Sequence, residues 1–158
     1  MAAPDSASLS EGERTFLLAL SAQGVRYLLV GMSAALLQGA RGATEDLDLW
    51  FQDLDDPRIG EAARRAGGFW ITRAQPPLLG GMSERFDVVV SMSGLPDFAK
   101  EYEESTEFEV EGVPLRLLPL ARILASKRAA NRPKDRAAVE ALEVALKLLE
   151  RLKPAGPR

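Results

Sequence analysis

The sequence predicts an α+β fold: a mixed β-sheet flanked by helices, with a C-terminal helical pair. Apolar runs of strand length at 25–30, 46–51 and 85–92 alternate with stretches of helical spacing. Glu111-Gly112 sits between two five-residue runs at 106–110 and 113–117, a hairpin signal. After Pro119, two apolar helical stripes follow each other, broken at Asn131-Arg132-Pro133. A chain of 158 residues, 46% hydrophobic and 27% charged, suits one globular domain spanning 1–158.

Residues 1–8 read as a flexible lead-in. Ser10 and Glu13 form a capping box, and Phe16, Leu17 and Leu20 make an apolar stripe, so a helix should run to about Gln23 and stop at Gly24. The 25–30 run is too apolar for an exposed edge strand. A short helix over 33–38 ends at Gly39, and a loop over 40–45 leads into the 46–51 strand. Asp56-Pro57 is an N-cap followed by proline at the first helical position. Ile59, Ala62, Ala63 and Ala66 then keep helical spacing up to Gly67-Gly68.

Residues 69–72 form a short strand, and 74–84, with two prolines and two glycines, read as a loop. In the 85–92 strand, Asp87, Val89 and Ser91 share a face. One or two helical turns follow at 96–102. Pro114 suggests an edge position for the second hairpin strand. Leu120, Ile123 and Leu124 line the first C-terminal helix, and Val139, Leu142, Leu146 and Leu149 should face inward from the second, which frays at 154–157. Trp50, Phe69 and Trp70 read as core residues and not as base-stacking platforms.

Composition excludes whole classes of chemistry. With no cysteine and no histidine, thiolate or imidazole metal sites and Ser-His-Asp hydrolysis are impossible, so acid–base work falls to Asp, Glu, Lys or Tyr. No apolar run reaches the roughly 18 residues of a membrane span, and the first residues lack a signal-peptide pattern, which leads us to expect no membrane association and a cytoplasmic location. Residues 1–115 carry 9 basic and 19 acidic side chains, whereas 116–158 carry 11 and 4. The first part is fit to hold cations and the second to attract phosphates, although long helices also carry Lys and Arg on their solvated faces.

One stretch stands out. The apolar run at 25–30 stops at Gly31-Met32-Ser33, and Asp46 and Asp48 follow, projecting from one face of a strand while Leu47 and Leu49 project from the other. Two adjacent carboxylates repel each other, so the pair suggests an oxygen-ligated divalent ion, magnesium or manganese; a solvated strand end is the alternative. Asp87 adds a third carboxylate within the apolar run Phe86, Val88, Val89, Val90, as a metal ligand or base, or as a buried ion-pair partner. The helix start at Gly31 to Ser33 offers free backbone N–H groups to a phosphate. Ser33 reads as a phosphate contact or an N-cap, Lys127 as a phosphate contact or a snorkelling surface lysine, and Asp135 chiefly as a cap of the last helix.

In this order and spacing, the residues resemble the polymerase-beta-type nucleotidyltransferase superfamily. Its signature is an apolar residue, Gly, Gly or Ser, about a dozen residues, Asp-x-Asp, and a third Asp on a later strand. Here Gly31 is present, 13 residues separate Met32 from Asp46, and Asp87 fits the third position. The likeness extends to small bacterial members and abortive-infection nucleotidyltransferase-like toxins, through Thr44-Glu45-Asp46-Leu47-Asp48-Leu49 and Lys127-Arg128-Ala129-Ala130-Asn131-Arg132-Pro133-Lys134-Asp135, and covers about residues 10 to 150. Met32 departs from the small residue of the signature, Gly42 stands at the usual arginine position with Arg41 displaced by one, and Ala138 replaces a second acidic residue.

The resemblance implies transfer of a nucleoside monophosphate from an NTP to an acceptor hydroxyl. Asp46, Asp48 and Asp87 would hold Mg²⁺ or Mn²⁺, and Gly31, Ser33 and Lys127 would hold the triphosphate. The acceptor stays open between RNA, a protein side chain and a small molecule. Arg122, Arg128, Arg132, Lys134 and Arg136 suit an RNA backbone or a solvated helix equally. The other expectation is a catalytically silent, nucleotidyltransferase-like binding protein with a partner protein, as in a toxin–antitoxin pair.

Overall fold

Backbone hydrogen bonding through residues 8–152, the part of the chain that the computed structural model describes, forms helices and strands in this order: α1 (Glu11–Ala22), β1 (Tyr27–Val30), α2 (Gly31–Leu37), β2 (Leu47–Phe51), α3 (Pro57–Arg65), β3 (Phe69–Ile71), β4 (Leu78–Gly80), β5 (Phe86–Val89), α4 (Phe98–Glu103), β6 (Thr106–Val110), β7 (Val113–Leu117), α5 (Leu120–Ala130) and α6 (Pro133–Leu152). The lead-in expected over 1–8 falls, apart from Ser8, outside these residues, as does the fraying at 154–157.

Five strands join in the order β5-β2-β1-β7-β6, with β1/β2 and β6/β7 antiparallel and β2/β5 and β1/β7 parallel, the mixed sheet expected. The register positions the chemistry. Val30 lies opposite Asp48, and Asp48 opposite Asp87, so the end of β1 and two carboxylates meet at one end of the sheet. Side chains alternate across the strands, giving the sheet two apolar faces. On one, Phe16 of α1 meets Phe86 with ring centroids 5.2 Å apart, and α1 packs on α3. On the other, Trp50 meets Phe98 of α4 edge-on at 5.1 Å. Phe16, Leu28, Leu49 and Ile123 are completely buried, each contributing about 1.5–3 kcal/mol relative to exposure.

Local signals set the boundaries. The Ser10–Glu13 capping box is complete, and Asp56 caps α3 ahead of Pro57. Glu111 and Gly112 take φ of 50° and 83°, left-handed backbone that a two-residue hairpin turn needs. Asn131 (φ 50°) ends α5 in the left-handed region, and Pro133 starts α6, which packs on α5 as the predicted pair.

Four expectations change. The segment 74–84 is not only a loop: it contains β4, which pairs with β3 in a separate two-stranded sheet. Pro114 does not mark an edge, because β7 lies between β1 and β6. Its pairing with β1 is at Leu117, away from the proline that lacks an N–H. Leu149 is 39% exposed, since Leu142 and Ala145 are the residues α6 buries in that region. Phe69, on the small sheet, is 44% exposed, whereas Trp50 belongs to the core as expected.

Candidate active site

At the end of β1 the chain turns directly into α2. Gly31 has φ +65°, and a Cβ placed there would lie 2.5 Å from Asp48 Oδ2. Glycine is therefore required twice over, by backbone conformation and by the carboxylate resting against it. Ser33 is buried. Its hydroxyl donates to the Val30 carbonyl at 3.0 Å and accepts from the Asp48 N–H at 3.3 Å, tying the β1–α2 turn to the strand that carries the aspartates. Val30 holds the N-cap position of α2, so the reading of Ser33 as N-cap is corrected.

Asp46 lies one residue before β2, where the expected strand began, and its N–H donates to Thr44 Oγ1 at 3.2 Å. One carboxylate oxygen from each of Asp46, Asp48 and Asp87 lies within 4.8 Å of the others. Asp46 and Asp87 are exposed and Asp48 is half-buried. Asp87 forms no salt bridge among the described residues, so it is not the ion-pair partner considered as an alternative. Burial, and then the neighbouring charges of Asp87 and Asp46, push the Asp48 carboxyl up to about 6, although Lys127 and Lys134 pull it down. Three hard oxygen donors whose charges oppose one another fit a divalent ion such as Mg²⁺ or Mn²⁺, which would relieve the repulsion.

The aspartates line an open cavity of about 600 Å³ with Gly31 and Met32 on one side and Ser126, Lys127, Arg132, Lys134 and Asp135 on the other. Asp135 is completely buried, with Lys127 Nζ 3.3 Å and Arg132 Nε 2.6 Å from its carboxylate. It also accepts from the Arg132 N–H at 3.1 Å, so it does cap α6 while gripping a cation of the site. Burial pushes Asp135 up, but the Arg132 and Lys127 interactions outweigh it and hold the carboxyl at about 2. Arg122 is committed to Glu101 and Arg128 to Glu143, and neither lines this cavity.

The structure thus brings Gly31, Asp46, Asp48, Asp87 and Lys127 to one cavity, with Ser33 just behind it. Sequence reasoning placed Ser91 on the face of Asp87 without giving it a role and passed over Ser93; both are small polar residues lining the cavity after the strand that bears Asp87. Their position past that strand's end was the available signal. Among the described residues no helix is long and apolar enough to cross a membrane.

No family model matches the sequence, and no curated protein matches it. Solved structures do share its fold. ANT(2")-Ia, in a crystal structure with adenylyl-2"-tobramycin, superposes with a TM-score of 0.56 at 17% identity, over 85% of this chain and 86% of that one. The solution structure of ANT(2")-Ia, described as an antibiotic-resistance factor with substrate-regulated conformation dynamics, gives 0.54 at 16% identity, over 85% and 80%. An antigenic nucleotidyltransferase-like protein from Paracoccidioides brasiliensis gives 0.52 at 16%, over 87% and 75%. The fold is nucleotidyltransferase-like.

Proposed function

We propose that this nucleotidyltransferase-like fold is a working metal-dependent nucleotidyltransferase, moving a nucleoside monophosphate from an NTP to an acceptor hydroxyl. The observation that carries the reading is the cluster of Asp46, Asp48 and Asp87, with carboxylate oxygens within 4.8 Å, facing Lys127 across one cavity. A neighbour of the same fold holding adenylyl-2"-tobramycin, a nucleotidylated ligand, supports it. The carboxylates would hold Mg²⁺ or Mn²⁺, which when bound polarises the phosphoryl group and neutralises developing charge.

The remaining work belongs to the chain. The Gly31–Ser33 turn admits the triphosphate beside the carboxylates, with Ser33 keeping Asp48 in place through its N–H. Lys127 contributes positive charge to the phosphates from a side chain that is only 20% exposed and is held by Asp135. A lysine fixed in this way loses little freedom on binding. The acceptor oxygen bonds to the α-phosphorus, the bridging bond to the β-phosphate breaks, pyrophosphate leaves with the electron pair, and Asp87 takes the hydroxyl proton.

The test is release of pyrophosphate from each NTP with Mg²⁺ or Mn²⁺. We expect activity in the wild type and at least a hundred-fold loss in Asp87→Asn; equal rates in both would remove Asp87 from the chemistry. The second reading, a silent binding protein paired with a partner, rests on Met32. This half-buried side chain lines the cavity where a smaller residue would leave the turn open. A small adjacent gene whose product co-purifies with a protein inert toward every NTP would favour it.

A further inference from the structure

A second cavity adjoins the first. It measures about 640 Å³, is bounded by α2, the 40–46 loop, Arg85 and residues 108–111 of the hairpin, and shares Thr44 and Asp46 with the carboxylate cavity. We propose that it is the acceptor site, and that the acceptor is a small alcohol with an apolar body and a neutral or cationic end, not a nucleic acid. The proposal rests on the nucleotidyl-transfer reading above and deepens it.

Three observations point this way. First, the two cavities divide the labour by charge. Lys127, Arg132 and Lys134 line the carboxylate cavity and suit a triphosphate. Leu36, Leu37, Ala40, Leu47, Phe108 and Val110 wall the second one and suit a hydrocarbon or aromatic body. Second, the charges that the second cavity does carry are wrong for phosphates. Arg85 is committed to Glu13 at 3.0 Å and Glu111 to Arg14 at 2.6 Å, which leaves Asp46 and Glu109 against Arg41 as the wall charges without an ion pair among the described residues. An RNA backbone would meet more carboxylates than free cations.

Third, the volume lies within the range of small-molecule sites, about 300–1,000 Å³. A ligand seated there extends past Asp46 into the carboxylate cavity, and the other two carboxylate oxygens are within 4.8 Å of that of Asp46. Its hydroxyl oxygen bonds to the α-phosphorus as the bond to pyrophosphate breaks, and the proton passes to a carboxylate of the triad.

The test uses the full chain and a series of fluorinated phenylalkanols, with and without a basic amine, as probes, beside a single-stranded RNA 20-mer. Binding is followed by ¹⁹F line broadening without nucleotide. Transfer is followed from NTP labelled at the α-phosphate with Mn²⁺. We expect phenylalkanols to bind and to carry the label, with at least a ten-fold loss of binding in Phe108→Ala. Glu109→Arg, an exposed change, should weaken the aminated probes at least five-fold, and both variants should keep wild-type NTP binding. Absence of probe binding, probe binding unmoved by both variants, or label on the RNA instead would overturn the acceptor assignment. Probe binding that responds to the variants without any NTP binding would instead overturn the nucleotidyl-transfer reading and leave a small-alcohol site standing.

Discussion

Neutralising Asp48 should stabilise the metal-free protein, and the size of the gain follows from the site. Asp48 is half-buried beside two other carboxylates, and its carboxyl rises from 3.8 to about 6. A shift of about 2 units corresponds to ~3 kcal/mol at 1.36 kcal/mol per unit, which solvent on the exposed part of the side chain reduces to about 2 kcal/mol. The sign follows from linkage. A carboxyl with a raised folded-state value contributes stability that is complete below about 3.8 and lost as pH rises through about 6.

Asp48→Asn removes this dependence, and among the described residues the Asp48 side chain makes no hydrogen bond to sacrifice, only its backbone N–H being engaged. In EDTA at pH 8 the variant should therefore melt about 4–8 °C above the wild type, at 2–4 °C per kcal/mol for a chain of this size. Near pH 4 the difference should shrink toward zero. Thermal melts of both proteins across this pH range, each in EDTA and in Mn²⁺, are the assay, with Mn²⁺ stabilising the wild type alone. A variant that melts lower at pH 8, or a difference that does not change with pH, would refute the charge-repulsion reasoning.

Gly31→Ala forces an L side chain into φ +65° with its Cβ 2.5 Å from Asp48 Oδ2; we expect a loss of about 1–3 kcal/mol and of Mn²⁺ binding, and wild-type values in denaturant melts and metal titration would contradict it. Glu13→Gln leaves Arg85 without its buried partner and should cost about 3–5 kcal/mol by urea unfolding. Burial pushes Glu13 up, but Ser83, the Ser10 N–H and Arg85 together hold it below the usual carboxylate range. Its contribution should therefore be present at neutral pH and vanish as acid protonates it in the folded state; a loss under 1 kcal/mol at pH 7 would contradict this. Met32→Ser opens the β1–α2 turn and should lower the NTP dissociation constant at least three-fold by calorimetry, whereas equal or weaker binding would clear Met32 as an obstruction.

The parts of the fold that short-range chemistry dictates were legible in the sequence. The hairpin at 106–117 and the start of α1 follow from Glu111-Gly112 and from the Ser10–Glu13 box. The Asp46–Asp48 spacing also pointed correctly to a carboxylate cluster, because strand alternation brings residues two apart to one side. What was hidden depends on long-range contacts. The β3–β4 pair joins two three-residue strands, too short to show a period. Glu13 caps α1 locally but also anchors Arg85, 72 residues away. Leu149 keeps the helical stripe of Leu142 yet is 39% exposed, past the residues that α6 buries. The wall of the second cavity combines α2 with the hairpin, segments that no sequence motif links.

The most direct measurement of the central claim is the melting temperature of the wild-type protein with each of the four NTPs, with Mg²⁺ or Mn²⁺ and with EDTA. A nucleotide at about 100 times its dissociation constant adds about 2.7 kcal/mol, or roughly 5–11 °C for a chain of this size. We expect that rise for at least one NTP with metal, and its absence in EDTA and in Asp46→Asn. A melting temperature unmoved by every NTP at saturating metal would contradict the claim that Asp46, Asp48 and Asp87 form a working nucleotide site.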